Sequence, residues 1–162
     1  MVSSLAPTRS EALWDKRGFG LPFLYRKHAP SILYGTEKST SRRRASVIVM
    51  EEMAKSADEV FVATEDGSAG TRGNVLDAVR EHGIRADVVC ACGPLPMLRA
   101  VRQYAARQGI PAFLSLEERM ACGVGVCLGC VTKTTKTDAH SQVNNARVCV
   151  EGPVFAAEDV DL

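Results

Sequence analysis

Four cysteines, Cys122, Cys127, Cys130 and Cys149, are the residues of this 162-residue chain whose type and spacing can do chemistry. The run RMACGVGVCLGC (119–130) sets the first three in a C-x4-C-x2-C pattern, and Cys149 follows after eighteen intervening residues. Thiolates are soft donors that hold zinc, iron and iron–sulfur centres. Between them stand Gly123, Gly125 and Gly129. Glycine admits positive φ and lets backbone come close to whatever the sulfurs surround, so a small loop can fold back on itself and aim N–H groups inward. A hydrophobic core needs neither feature.

The spacing matches that of plant-type [2Fe–2S] ferredoxins, in which one loop supplies three thiolates and a later segment the fourth. Two irons with bridging sulfides require four thiolates at tetrahedral corners, and N–H groups facing the sulfurs offset the centre's negative charge. Structural zinc is the alternative, although it usually takes two close cysteine pairs and here only Cys127 and Cys130 are so spaced. Free or paired thiols are the third reading, with disulfides disfavoured by crowding of the triplet. His140 lies in the connecting stretch, but a Rieske-type centre needs two histidines.

The whole chain narrows the setting. A hydrophobic fraction of 46% and a charged fraction of 24% are those of a globular protein with a core. A formal net charge of +1 gives no reason to expect a nucleic-acid or membrane-surface partner. No apolar run approaches the roughly 20 residues of a membrane span, and the N-terminus lacks the apolar middle of a signal peptide. The expected address is the cytoplasm, where clustered cysteines are more often metal ligands or redox groups than disulfides.

The elements that position these residues are legible from about residue 31. SILYG (31–35) reads as a strand, 45–58 as a helix, and EVFVAT as a buried strand ending in a turn at Asp66 and Gly67. A helix over 74–83 has Asn74 as N-cap and Gly83 just past its end. ADVVCA (86–91) is a strand, and after Gly93 a helix opens at Pro94 with an apolar stripe of Leu95, Leu98, Val101 and Ala105, closed by Gly109 and Pro111. AFLSL (112–116) is the next strand. This alternation predicts an α/β fold, a parallel sheet with crossover helices, over 31–116. Residues 1–30 read as irregular, and 117–162 as a small irregular β-rich module with short pieces at VTKTT and ARVCV.

SLEERMACGVGVCLGC (115–130) and RVCVEGPVF (147–155) together resemble the C-terminal module of the electron-transfer subunit of NAD-linked dihydroorotate dehydrogenase. ACGPLPML (91–98) and VATEDGSAGTRG (62–73) resemble the nucleotide domain of the same subunit, a member of the ferredoxin-reductase superfamily. The resemblance runs from about Ser31 to the end. It implies a [2Fe–2S] cluster on Cys122, Cys127, Cys130 and Cys149, passing single electrons between FAD, exchanging with NAD, and the FMN of a catalytic partner subunit that converts dihydroorotate to orotate. It further implies that Cys92, Gly93 and Pro94, at a strand's carboxyl end, approach the nicotinamide and flavin rings, with Asp66 and Gly67 lining the same cleft. Without the family, Cys92 reads equally as a small buried apolar residue, Asp66 as a solvated turn acid, and Arg42, Arg43 and Arg44 as a solvated loop face. Family members begin with a β-barrel for FAD, for which this chain offers no room as it stands. Where the phosphate loop belongs it has only Gly18, Gly20 and Pro22, so FAD and NAD rest on the family alone.

Overall fold

The structure, a computed structural model, describes residues 22–25, 31–36, 57–137 and 142–162. Seven strands form one sheet in the order β4-β3-β2-β1-β5-β6-β9, and two more form a separate ribbon. The first six are β1 (Pro22–Tyr25), β2 (Ser31–Thr36), β3 (Glu59–Thr64), β4 (Thr71–Arg72), β5 (Val88–Cys92) and β6 (Ala112–Ser115). The ribbon pairs β7 (Val131–Lys133) with β8 (Asn145–Arg147), and β9 (Val154–Ala156) returns to the large sheet beside β6.

The expected parallel pairing holds for β2 with β3, β3 with β4 and β5 with β6. The sheet as a whole is mixed, because β1 runs antiparallel to both β2 and β5, and β9 antiparallel to β6. Pro22–Tyr25 fell within the segment read as irregular; it is a strand at the centre of the sheet. Four residues carry no usable period of their own, and their ladder partners lie up to about seventy residues away, Phe23 opposite both Ile32 and Cys90. The helix expected over 45–58 falls on residues 45–56, which lie outside the described ones; 57 and 58 are not helical.

Helix α1 (Val75–Glu81) begins as expected at Asn74. The Asn74 side chain accepts from the Leu76 and Asp77 N–H groups while the Asp77 carboxylate takes the Asn74 N–H, a reciprocal capping box. Its Val75, Leu76, Ala78 and Val79 are buried against β2, β3 and β4. Helix α2 (Leu95–Gln108) starts after Pro94 and stops at Gly109, whose φ of 66° is the left-handed stop. It buries Leu98, Val101 and Ala105 against β5 and β6, while Leu95, expected on the same stripe, is exposed in the first turn. Val89, Ala91 and Leu114 complete this part of the core, and Cys130, Val148 and Val160 belong to the same continuous cluster. The C-terminal strand is tied down as well: Arg102 Nε donates to the Ala157 carbonyl at 2.9 Å.

Candidate metal centre

The loop after β6 carries Cys122, Cys127 and Cys130, and the β7/β8 ribbon returns the chain to it. Val131 lies opposite Arg147 in that ribbon. The Val148 N–H donates to the Cys130 carbonyl at 2.9 Å, and the Cys149 N–H points at the Cys130 sulfur at 3.4 Å. An antiparallel turn-back thus closes the eighteen-residue gap and sets the fourth thiol beside the third.

The Cys127 thiol acts on the titration of Cys122 and the Cys130 thiol on that of Cys149, and Cys122 has a smaller charge effect on Cys149. Among the described residues, no three His, Cys, Asp or Glu side chains converge on one point fit for a single metal ion. Backbone N–H groups crowd the first pair. Those of Cys127 and Val124, then the Cys127 thiol, then the Val126 N–H, push the Cys122 thiol down to about 6. The Cys149 thiol is raised, first by its hydrogen bond to Cys130 and then by burial, with the Gly125 N–H working against both. Cys130 is buried and Cys127 exposed, and the Gly129 N–H donates to the Cys127 sulfur at 3.4 Å.

Two of the three loop glycines take the conformation expected of them, Gly123 at φ 67° and Gly125 at φ 79°. Gly129 does not; the neighbouring Leu128 is left-handed instead, at φ 57°. Only Gly125 is sterically obliged. A Cβ there would lie 2.8 Å from Val150 Cγ2 and 3.3 Å from Arg147 Nη1. Neither Arg147 nor Glu151 was singled out in the sequence, yet both touch the centre's frame. Arg147 Nη1 donates to the Gly125 carbonyl at 3.2 Å, and its Nε and Nη2 donate to Glu151 Oε1. Glu151 Oε2 accepts the Arg147 backbone N–H. The available signal was a charged pair four apart that straddles Cys149. Around the loop, Met120, Val124, Val126, Leu128 and Val150 present apolar side chains to solvent, Val126 at 79% exposure.

The other residues of interest sit apart from the thiols' loop. Cys92, Gly93 and Pro94 leave β5 at its carboxyl end, and the Cys92 thiol lies 4.0 Å from Glu117 Oε1. Asp66 and Gly67 leave β3 at the same edge, but three strand spacings away, about 14 Å. They form a self-closed turn: Asp66 accepts the Ser68 N–H at 3.0 Å, and Thr64 Oγ1 donates to the Ala69 carbonyl at 2.9 Å. The structure therefore puts the two groups on one edge without bringing them together. Pro22, opposite Ala91, starts β1 at this edge, while Gly18 and Gly20 lie outside the described residues, as do Arg42, Arg43, Arg44 and His140. Burial pushes the Cys90 thiol up.

The fold is that of a ferredoxin-reductase-like α/β chain, with four cysteines in and beside the loop after β6. A solved structure of the NADH-dependent reduced ferredoxin-NADP oxidoreductase, studied for flavin-based electron bifurcation, superposes with a TM-score of 0.60 at 28% identity, over 81% of this chain and 44% of that one. Residues 117–161 match the iron–sulfur cluster binding domain of dihydroorotate dehydrogenase B. The electron transfer subunits of dihydroorotate dehydrogenase B (NAD(+)) from Bacillus caldolyticus and Geobacillus kaustophilus are each 40% identical over 97% of this chain and 60% of their own length. The corresponding subunit from Bacillus velezensis is 40% identical over 73% of this chain and 44% of its own length. The chain thus spans 44% to 60% of the length of these relatives.

Proposed function

We propose that this chain is an electron-transfer protein holding a [2Fe–2S] cluster on Cys122, Cys127, Cys130 and Cys149, as an accessory subunit of a dihydroorotate dehydrogenase of the NAD-linked type. The observation that carries this is the ribbon that returns Cys149 to the cysteine loop, with its N–H on the Cys130 sulfur at 3.4 Å, so that the fourth thiol joins the three of the loop. A single zinc needs four donors aimed at one point, whereas two irons need two thiol pairs side by side. Cys122 and Cys127 share one loop, and the Cys149 N–H on the Cys130 sulfur brings the other two together. The donor set fits in charge as well, since N–H groups already face the Cys122 sulfur and favour its thiolate. A bound cluster supplies one-electron exchange, which a nicotinamide cannot provide without a flavin between.

The chain's own residues bind and shield. Val148 and Val160 are fully buried in the same apolar cluster as Cys130. The outer side is open at Cys127 and rimmed by Val124, Val126 and Leu128, an apolar surface suited to the FMN-bearing catalytic subunit, whose flavin has to come close to exchange an electron. Residues 117–162 serve as the cluster module, and 31–116 as the nucleotide-domain-like scaffold of the ferredoxin-reductase type. On that scaffold the Cys92–Gly93–Pro94 turn, with Asp66 and Gly67 farther along the edge, is the place for a nicotinamide or flavin ring. The described residues do not complete a dinucleotide site, because the central strand β1 begins at this edge and no described strand ends there in a phosphate loop between β2 and β5. No helix among the described residues is long and apolar enough to cross a membrane, and a reducing cytoplasm suits an assembly of free thiols.

The test is iron and sulfide analysis of the purified or anaerobically reconstituted chain, with electron paramagnetic resonance after dithionite. The expected result is about two irons and two labile sulfides per chain and a reduced-state signal. A colourless protein with one zinc per chain and no signal would overturn the assignment.

A further inference from the structure

We propose that Arg147 and Glu151 act together as a positioning pair that locks the cysteine loop onto the Cys149 turn and sets the reduction potential of the centre. This rests on the cluster reading above. Gly125 is the point where the two segments meet. A Cβ on it would lie 2.8 Å from Val150 Cγ2, next to Cys149, and its carbonyl accepts from Arg147 Nη1 at 3.2 Å. Arg147 stands two residues before Cys149 and Glu151 two after it. The guanidinium reaches back across the turn, giving Nε and Nη2 to Glu151 Oε1, so the fork is anchored with one edge and free to hold Gly125 with the other. The Arg147 N–H donates to Glu151 Oε2, which ties the start of the turn to its end. Room for this exists because residue 125 has no side chain.

Charge adds a second consequence. A guanidinium held on the loop between Cys122 and Cys127 favours the more negative, reduced state of the centre, and a carboxylate bound to it opposes that effect. Removing one member leaves the other uncompensated, so the two removals shift the potential in opposite directions. Packing alone produces no such change of sign. Lysine keeps the charge but not the planar fork, so it separates tethering from electrostatics.

The experiment uses the cluster-loaded full chain and its R147M, R147K, E151Q and R80M variants. Arg80 pairs with Asp77 on α1, away from the cysteine loop, and serves as the charge-matched control. Midpoint potentials are read by mediated optical titration, and cluster loss is timed in the presence of a ferrous chelator. R147M is expected to lower the potential and to lose cluster about tenfold faster, in the range typical for outer-shell ligand supports. E151Q is expected to raise the potential. R147K should stay near wild type in potential yet lose cluster faster, and R80M should change neither. Shifts of the same sign in R147M and E151Q, or none beyond that of R80M, would overturn the pairing. If R147M does not load iron, the sign of the E151Q shift decides. Wild-type chain that takes up no iron and sulfide would instead defeat the underlying cluster reading, an outcome distinct from a loaded chain whose variants do not shift.

Discussion

Cys127 is the exposed member of its sulfur pair and Cys90 a half-buried thiol on the central part of the sheet, so substituting each separates ligand from bystander. Cys127→Ser is expected to abolish or strongly weaken the visible absorption of reconstituted protein, and Cys90→Ser to leave it unchanged. The reverse result would mean that the ligands are misassigned. Gly125 gives a second test at this scale. Gly125→Val places a side chain in left-handed backbone, at a cost of about 1–2 kcal/mol from that alone, and drives it into Val150 and Arg147. Iron content should fall well below that of Gly123→Ala, where the backbone is also left-handed but a Cβ meets nothing within 4 Å. Equal loading in the two variants would show that the Gly125 contact is dispensable. The cysteine spacing and the need for glycine were readable from the residues. That the left-handed burden falls on Leu128 rather than Gly129 was not, because it depends on how the loop closes around Cys127.

Among the elements, α1 is the most locally specified. Asn74, Asp77 and the apolar residues behind them are a start signal that acts within one turn of helix. Asn74→Ala should cost about 1 kcal/mol in urea unfolding while leaving the cluster spectrum intact, since α1 packs on β2, β3 and β4, far along the sheet from the cysteine loop. Loss of the spectrum with that substitution would show a coupling between the ends of the sheet that the packing does not suggest. Helix α2 is nearer the site. Leu98→Ala, at a fully buried position, should cost about 2–5 kcal/mol. The β7/β8 ribbon is the opposite case to α1. Its three-residue strands have little intrinsic preference, and their register follows from the pairing that brings Cys149 to Cys130.

At the scale of the whole molecule, the scaffold and the cysteine module share one core. Cys130 and Val148 lie in the same buried cluster as Leu98, Val101 and Leu114, and β9 extends the large sheet. The Leu116 N–H donates to the Pro153 carbonyl at 2.9 Å and the Ala157 N–H to the Ala112 carbonyl at 2.8 Å, which stitches the two along β6. Stripping the cluster with a mercurial is therefore expected to lower the melting temperature of the entire chain in a single transition. Calorimetry that shows two transitions, only one of them sensitive to cluster removal, would mean that the module folds independently of the sheet.

Local chemistry determined the caps at Asn74 and Gly109, the helix after Pro94, and a loop of three cysteines and three glycines suited to a soft metal centre, since each depends on residues a few positions apart. Tertiary structure alone decided the pairing of Cys130 with Cys149, the reach of Arg147 to the Gly125 carbonyl, and the antiparallel entry of Pro22–Tyr25 between β2 and β5. Apart from the β1–β2 pairing, those contacts join segments about twenty to seventy residues apart. Chain closure over such distances is settled by the sum of sheet pairing and core packing, to which no short stretch of sequence holds the answer.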